Sequence, residues 1–323
     1  MNGVIFVILK GFRKIHRMIF GSPKKSFFTT KTPDFSGEEA SLLIYNKLMA
    51  TEPCMIARFG SVELDCIRFY KIRKQSILHR YWKFINQEIN SLEWPDGVTS
   101  TMGNNAGFFP VTPQSLSSFS EMMLRETKHL DILGSWLENE NKLKAELKAV
   151  QIVRLKDLKP FVHSNPWTKA LKGKKVLVIH PFTESISAQY KKRTLIFTDE
   201  NLLPEFDLIT YKPVQSIAGN HEAYPYKDWF EALEFMQRDI EKIDFDIAIL
   251  GCGAYGFPLA SFIKNIGKKS VHLGGVTQIL FGIIGKRWEE EFDLSNLINE
   301  HWVRPALNER PSNFRNVEDG CYW

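Results

Sequence analysis

Short apolar runs alternate with stretches of helical periodicity along this chain. Residues 246–250 read Asp-Ile-Ala-Ile-Leu, a short apolar run that is typical of a buried strand. A glycine-rich turn follows, and residues 257–266 then carry apolar side chains at helical spacing. A second short strand is predicted at 270–273. Strand, turn, helix and strand form a βαβ unit, and such units build parallel sheets with helices on both faces.

The same alternation covers most of the chain, so the sequence predicts an α/β fold. Further buried strands are predicted at 53–58, 132–136, 174–179 and 206–211, and helices at about 36–48, 61–72, 81–92, 113–129, 142–148, 183–192 and 226–243. The expected architecture is a doubly wound, mostly parallel sheet with a helical insertion between about Ile72 and Leu147.

The pattern divides the chain into three parts. Residues 1–35 are predicted to form a basic amphipathic helix and a linker, residues 36–290 the α/β domain, and residues 291–323 a tail that wraps around it. The apolar run at 4–9 is too short to span a bilayer, and basic residues alternate with apolar ones after it. We expect this helix to lie on an anionic membrane surface. Packing against the domain and fraying are the alternatives.

Composition limits which ligands and which cellular location we expect. The 323 residues are 44% hydrophobic and 24% charged, with a net charge of +5, which is ordinary for a globular protein. This mild basicity suits anionic ligands or an anionic membrane and is too weak to indicate nucleic acid. The four cysteines form no CxxC pair, so neither a zinc site nor a disulfide framework is indicated. We expect a cytoplasmic protein, associated peripherally with the inner face of the membrane.

The glycine turn at 251–256 has the spacing of a dinucleotide-binding fingerprint, with glycines at 251, 253 and 256. Glycines allow a tight turn and a close approach of the backbone to a ligand, and the free amides at a helix start attract phosphate. The next strand ends in His272-Leu-Gly, without an acidic residue to hold a ribose. The turn therefore favours a phosphorylated ligand other than NAD. The alternative is that the glycines only pack the helix on the strand.

Ligands of doubly wound sheets bind at the carboxyl ends of the strands. The candidate residues at or near those ends are Arg58, Gly60, Ser61, Glu63, Asn104, Asn105, His180, Gly251, Gly253, Tyr255, Gly256, Gly275, Gln278, Lys286 and Arg287. Each polar one has a structural alternative, such as an ion pair of Arg58 with Glu63, or His180 held as a structural histidine. Asn104 and Asn105 suit a turn, and Lys286 and Arg287 suit a solvated surface.

Residues 56–63, Ile-Ala-Arg-Phe-Gly-Ser-Val-Glu, resemble the signature of the GT-D-type glycosyltransferases. These bacterial enzymes have a single Rossmann-like domain and transfer sugars from nucleotide-sugar donors. Segments 178–182, 251–256, 273–278, 281–282 and 286–288 look similar to the same group, so the resemblance covers about 38–288. It implies transfer of a sugar to a glycan or a polyprenyl-linked acceptor in surface-polysaccharide synthesis.

The resemblance also implies roles for the candidate residues. Glu63 and His180 become candidates for the base that activates the acceptor hydroxyl, and the remaining candidates would bind the nucleotide-sugar donor. Two alternatives stay open on the residues alone. One is a Rossmann enzyme that uses NAD or S-adenosylmethionine, and the other is a non-catalytic member of a polysaccharide assembly complex.

The sequence departs from the family at its D-x-E motif, which is expected to serve the nucleotide-sugar and its metal. Ser61 stands at the first position and only Glu63 matches. Serine keeps the helix start because it is as good an N-cap as aspartate, but a hydroxyl is a poor ligand for a hard divalent cation. The cofactor implied by the resemblance is Mn²⁺ or Mg²⁺, with Glu63 as its one matching ligand.

Overall fold

One seven-stranded sheet forms the centre of the protein. The computed structural model describes residues 3–21, 32–289 and 294–323. The strands are β1 (Cys54–Ala57), β2 (Ile132–Ser135), β3 (Gln151–Arg154), β4 (Lys175–Ile179), β5 (Asp207–Tyr211), β6 (Ile247–Leu250) and β7 (Lys269–His272). They lie in the order β3-β2-β1-β7-β6-β4-β5, and every pair is parallel. The predicted Rossmann-like α/β sheet is confirmed, and it is parallel throughout.

Helices cover both faces of the sheet. They are α1 (Gly3–Phe20), α2 (Glu38–Met49), α3 (Ser61–Arg73), α4 (Ile77–Ile85), α5 (Asp96–Asn104), α6 (Pro113–Glu126), α7 (Thr183–Tyr190), α8 (Arg193–Ile196), α9 (Trp229–Glu241), α10 (Gly256–Asn265) and α11 (Val276–Leu280). Helices α3, α6, α9 and α10 pack on one face, and α2, α7, α8 and α11 pack on the other. The winding in both directions from the middle strands is that of a doubly wound fold.

Burial on both faces explains why the strands read as unbroken apolar runs. In β1, Met55 and Ala57 enter the core of the α3 side, whereas Cys54 and Ile56 enter the core of the α2 side. All four side chains are fully buried. A strand that is covered on both faces has no polar side, so its sequence lacks the alternation of a half-exposed strand.

Three predictions about secondary structure in the predicted insertion were wrong in detail. The insertion ends before β2, because β2 and the unpredicted edge strand β3 both belong to the sheet. The helix predicted at 81–92 spans Ile77–Ile85, since Gln87 has a φ of 66° that no helix continues through. The helix predicted at 142–148 is not an α-helix: a 3-10 helix ends at Leu143 and turns follow it. Its buried Leu143 and Leu147 are four residues apart, which imitates a helical pattern.

Helix α1 packs beside α4 by one face. Leu9 is buried in a small cluster with Phe84, and Arg13 Nη1 donates to the carbonyl oxygens of Phe84 and Ile89 at 2.8 and 2.6 Å. The linker predicted at 24–35 falls largely on residues 22–31, outside the described part of the chain. Within the described part, no helix combines the length and the apolar character needed to cross a membrane.

The last thirty residues pack on the α2 side of the sheet. Trp302, Val317 and Trp323 enter the core there, and Val303 pairs with Ile283 in a parallel bridge. The prediction placed the start of this segment at 291, and residues 290–293 lie outside the described part. The end of the segment reaches the carboxyl edge of the sheet, where it becomes part of the site.

Candidate active site

A cavity of about 230 Å³ lies at the carboxyl ends of β1, β4, β6 and β7. Loops after β2 and β5 and the end of the C-terminal segment complete its walls. The turn after β1 (residues 58–63, the β1 turn) and the turn after β6 (residues 251–256, the β6 turn) both line it. The sequence placed these two turns at one end of one sheet, and the structure confirms that placement.

Glu63 occupies the third position of α3, and its carboxylate folds back over Gly60. A β-carbon on residue 60 would force that carboxylate to move, so glycine allows the carboxylate to take this place. The carboxylate therefore lies at the positive end of the α3 dipole, within reach of its own backbone amide. Desolvation nevertheless raises the pKa of Glu63, against the lowering effects of that amide and of Arg58. A cavity carboxylate with a raised pKa is a candidate proton acceptor.

Arg58 follows β1 directly and stacks on an aromatic ring. Its guanidinium carbon lies 4.9 Å from the centroid of Trp136, which itself donates from Nε1 to the carbonyl oxygen of Phe59 at 2.9 Å. The buried carboxylate of Glu140 accepts hydrogen bonds from the backbone amides of Trp136 and Leu137 and so fixes this loop. The stacked arrangement holds the guanidinium in one orientation towards the cavity.

The guanidinium of Arg58 has no ion-pair or hydrogen-bond partner within the described part of the chain. The alternative expected from the sequence, an ion pair with Glu63, is not formed, and the two charges interact only at longer range. Burial is the main influence on Arg58, and it lowers the pKa of the guanidinium. A desolvated arginine without a carboxylate partner is suited to an anionic ligand, above all to phosphate.

Two buried histidines, His180 after β4 and His272 at the end of β7, face the same cavity. Burial is the main cause that lowers the pKa of each to about 3, and for His272 the charge of Arg58 adds to the lowering while a hydrogen bond with the Arg58 backbone opposes it. Both rings are therefore neutral near pH 7. The backbone amide of Phe182 donates to His180 Nδ1 at 3.1 Å, which leaves the proton of His180 on Nε2. In this geometry His180 donates a hydrogen bond, so Glu63 is the better placed candidate base.

Each of the three glycines of the β6 turn is required for a different structural reason. A β-carbon on Gly251 would lie 2.7 Å from the carbonyl oxygen of Gly274, and one on Gly256 would overlap the ring of His272. Gly253 has free space around it but a φ of +58°, a left-handed conformation that glycine adopts at no steric cost. Gly251 and Gly253 line the cavity, whereas Gly256 packs α10 against β7 and lies outside it. For Gly256 the packing alternative is correct.

The turn after β7 brings Gly275 and Gln278 to the cavity. A β-carbon on Gly275 would lie 2.7 Å from the ring of Tyr322, so glycine admits the C-terminal segment. Gln278 is fully buried, and its Nε2 donates to the carbonyl oxygens of Ile283 and Tyr322, both at 3.2 Å. Its Oε1 has no partner among the described residues. A buried acceptor without a partner is costly, and a ligand hydroxyl would satisfy it.

Tyr255 lines the cavity with its ring, while its hydroxyl serves the fold. The ring stacks on Trp229 with centroids 4.6 Å apart, and the hydroxyl lies 3.1 Å from Ser216 Oγ. Ser216 in turn donates to the carbonyl oxygen of Gly107 at 2.6 Å. Tyr255 therefore offers a ligand an apolar surface and ties the loop after β5 to the site.

Of the other candidates, Ser61, Asn105 and Arg287 line the cavity, whereas Asn104 and Lys286 are exposed outside it. Asn104 ends α5 with its side chain 3.4 Å from Ser100 Oγ, facing away from the site. Arg287 donates to the hydroxyl of Tyr322 at 2.9 Å at the mouth of the cavity. Asn104 and Lys286 therefore lie outside the cavity, whereas the adjacent residues Asn105 and Arg287 line it.

Sequence reasoning did not select several residues that form the walls. They are Trp136, Ser216, Tyr322 and Trp323. Trp136 stands at the end of a predicted strand, and that position is the signal that identifies it. Ser216, Tyr322 and Trp323 reach the cavity through long-range packing, for which the local pattern carries no signal.

The start of α7 is closed by the C-terminal segment. Glu309 is buried and accepts hydrogen bonds from the backbone amides of Glu184 and Ser185, the first at 2.8 Å, and from the Ser185 hydroxyl. The carboxylate of Glu309 thus occupies the place that a phosphate would take at this helix start. The start of α7 is therefore not available to a ligand phosphate.

The described residues do not fit a divalent cation. No group of three histidine, cysteine, aspartate or glutamate side chains lies together within them, and Glu63 is the one carboxylate among the cavity-lining residues, which also include Arg58 and Arg287. Asp65 points away and accepts from Asn139 at 2.9 Å. Mn²⁺ and Mg²⁺ prefer several oxygen ligands with negative charge, and this site offers one carboxylate beside two cations.

The fold and the cavity together define a doubly wound, Rossmann-like α/β protein with a polar ligand site at the carboxyl edge of its sheet. Comparison of the chain with protein-family models, with curated proteins and with solved structures gives no match.

Proposed function

We propose that this protein is a glycosyltransferase that moves a sugar from a nucleoside-diphosphate donor to a hydroxyl group of a glycan or a polyprenyl-linked acceptor in surface-polysaccharide synthesis. The observation that carries the proposal is the combination, in one cavity, of Arg58, whose guanidinium has no ion-pair partner among the described residues, and Glu63 with a raised pKa. The arginine suits the diphosphate, and the carboxylate suits the acceptor hydroxyl. The resemblance of residues 56–63 to the GT-D signature supports the same assignment.

In the proposed reaction the acceptor oxygen forms a bond to the anomeric carbon of the sugar, and the bond from that carbon to the phosphate oxygen breaks. The nucleoside diphosphate leaves with the bonding electron pair, and Glu63 takes the proton of the acceptor hydroxyl. Burial makes Glu63 a stronger base than an exposed carboxylate, because its charged form is poorly solvated.

Charge that develops on the leaving diphosphate has to be stabilised by the chain itself. Arg58 lies inside the cavity and Arg287 at its mouth, and the backbone of the β6 turn approaches the same space. Preorganised donors of this kind act without reorganisation at the moment of reaction. His180 adds a neutral Nε2–H donor. No step in this scheme runs through a divalent cation, because the donor set does not suit one.

The size of the cavity indicates which part of the donor it encloses. Its volume of about 230 Å³ lies below the roughly 300–1,000 Å³ of typical small-molecule pockets. The cavity therefore suits the diphosphate and the sugar, with the nucleoside extending towards the opening. The unpartnered Oε1 of Gln278 is available to a sugar hydroxyl.

A Rossmann enzyme that uses NAD or S-adenosylmethionine is the rival proposal, and it would depend on the β6–α10–β7 unit. A dinucleotide site needs an acidic residue near the end of the second strand, where this chain has His272. Gly256, the third glycine of the fingerprint, packs against that histidine.

Ligand-induced changes in melting temperature test the proposal. The purified protein is titrated with nucleoside diphosphates, nucleotide sugars, NAD and S-adenosylmethionine in the presence of a chelator. A ligand at a hundred times its Kd stabilises the folded state by about 2.7 kcal/mol, which a melting curve resolves as a shift of several degrees. We expect shifts with nucleoside diphosphates and their sugars. A shift with NAD or S-adenosylmethionine alone would replace the proposal with its rival.

A further inference from the structure

Helix α1 turns an apolar face away from the rest of the protein. Val4, Ile8, Phe12, Ile15 and Ile19 recur at helical spacing on one side, and each is more than half exposed, from 52% for Ile8 to 67% for Ile19. We call these five residues the outer face of α1. An exposed apolar strip of this length is unusual on the surface of a soluble protein.

The opposite side of α1 is tied firmly to the protein. Arg13 reaches the carbonyl oxygens of Phe84 and Ile89, and its Nη2 donates to Asn90 Oδ1 at 2.7 Å. Leu9 is buried between the helices. Since these contacts use the inner side of α1, the orientation of its outer face is set by the fold.

Basic side chains lie to one side of the outer face, beyond the exposed Val7 and Met18. Lys10, Lys14 and Arg17 are exposed, and α1 contains no aspartate or glutamate. Helix α4 adds apolar surface next to it, with Leu78 at 74% and Trp82 at 58% exposure, and the Trp82 ring lies edge-on to His16 of α1. An apolar strip with a purely cationic border matches the interface of an anionic bilayer, where acyl chains lie beneath negative headgroups.

We infer that the outer face of α1, with Leu78 and Trp82 of α4, docks the protein on the surface of an anionic membrane. The helix lies in the plane of the interface, with its apolar side chains among the acyl chains and its basic edge at the headgroups. A second copy of the chain is a poorer occupant, because two such faces would bring Lys10, Lys14 and Arg17 of both copies together.

Vesicle flotation of the full chain tests the inference. We expect binding to vesicles that contain phosphatidylglycerol and much weaker binding to pure phosphatidylcholine vesicles. Phe12→Gln with Ile15→Gln should weaken binding about a hundredfold or more, because two exposed apolar side chains no longer enter the interface. The matched control is Leu307→Gln, which changes a leucine that is 79% exposed elsewhere on the surface and should leave binding unchanged.

The basic edge is tested separately. The triple variant Lys10→Gln, Lys14→Gln, Arg17→Gln should lose about a hundredfold in binding to the anionic vesicles, since each basic residue near the surface contributes roughly fivefold. Circular dichroism checks that each variant is folded. Unchanged binding of the Phe12/Ile15 variant, or a full chain that does not float, would overturn the inference. Self-association of the full chain that Phe12→Gln with Ile15→Gln abolishes, without vesicle binding, would assign the face to a second copy instead.

Quenching by brominated lipids gives the orientation. The exposed Trp82 should be quenched when the protein binds vesicles, and Trp82→Phe should remove most of the quenching while flotation persists. Quenching that survives Trp82→Phe would contradict the proposed placement of α4 at the membrane.

Discussion

The β1 turn and the β6 turn share one architecture and supply different things to the site. Each follows a buried strand and opens a helix at the cavity. The β1 turn contributes two charged side chains, Arg58 and Glu63, on either side of Gly60. The β6 turn contributes backbone, through Gly251 and Gly253, and directs its third glycine against the sheet. A glycine-rich fingerprint thus marks close packing as readily as it marks ligand binding.

The two turns differ because different groups occupy the space next to Gly60 and next to Gly256. At Gly60 the space is filled by the carboxylate of Glu63, which belongs to the cavity. At Gly256 it is filled by the ring of His272, which belongs to the neighbouring strand. The same residue type therefore positions a reactive group in one turn and joins a helix to a strand in the other. If the chemistry depends on the β1 turn, substitutions in the two turns should have effects of different kinds.

The largest effect is expected from Glu63→Gln, which keeps the shape of the side chain and removes its basicity. Sugar transfer should fall on the order of a hundredfold or more, because the general base is lost. The melting temperature should stay the same or rise slightly, because desolvation already disfavours the charged form of Glu63. The matched control is Glu231→Gln, which changes the third residue of α9, outside the cavity. Equal turnover of the two variants would return Glu63 to a structural role.

A smaller effect on transfer, about tenfold, is expected from Gly60→Ala. The new methyl group would displace the Glu63 carboxylate, and small misplacements of a catalytic group are costly. Gly256→Ala should instead destabilise the fold by about 1–3 kcal/mol, because the methyl group meets the buried ring of His272. Denaturant unfolding and a transfer assay on both variants separate the two effects. Loss of sugar transfer in Gly256→Ala without a loss of stability would contradict this difference between the two turns.

Ser61→Asp sharpens the comparison with the GT-D family by restoring its second carboxylate. We expect higher affinity for Mn²⁺, measured by calorimetry, because two carboxylates then line the cavity. In a chelator the same variant should bind nucleoside diphosphate roughly fivefold more weakly, because the added charge repels phosphate. Ser61→Ala is the control for loss of the hydroxyl alone. Strong dependence of sugar transfer by the wild type on Mn²⁺ would contradict the conclusion that the cavity does not suit a divalent cation.

A further effect concerns the pH dependence of stability rather than sugar transfer. His180 is neutral when folded, with a pKa of about 3 against 6.5 for an exposed histidine, so the unfolded chain binds the extra proton between those values. Stability should therefore rise with pH from about 3 to 6.5 and be lost on acidification, by up to about 1.4 kcal/mol per pH unit for this one group.

His180→Asn removes that titration and keeps an acceptor for the amide of Phe182. Urea unfolding at pH 5 and pH 7 should give a smaller difference for the variant than for the wild type. Other titrating groups, Glu63 among them, contribute equally to both proteins and cancel. An identical difference in the two proteins would mean that His180 is charged in the folded state.

The fold was predictable from the sequence because buried parallel strands leave continuous apolar runs. Six of the seven strands are visible in this way, and β3 is not, since at the edge of the sheet its terminal residues are polar, with Gln151 half-buried and Arg154 exposed. The shared edge of the two turns was equally predictable, since the carboxyl ends of parallel strands coincide.

The details of the site were less predictable. Asn104 and Asn105 are adjacent at the end of α5, yet only Asn105 lines the cavity. The sequence does not determine which of two adjacent side chains faces the cavity, because the exact end of a helix is poorly defined by the helical pattern. Glu309, Tyr322 and Trp323 reach the site from a segment without periodicity. The contact of Glu309 with the start of α7 joins residues 125 positions apart, and that of Tyr322 with Gln278 joins residues 44 positions apart.

Binding of a nucleoside diphosphate to wild type and to Arg58→Gln, measured by calorimetry in a chelator, tests the proposed site most directly. We expect wild type to bind and Arg58→Gln to bind about 10- to 100-fold more weakly, because a charge-assisted contact with phosphate is lost. Arg125→Gln, which changes an exposed arginine outside the cavity, should bind like wild type. Equal affinity of Arg58→Gln and wild type would contradict the assignment of Arg58 as the residue that holds the diphosphate.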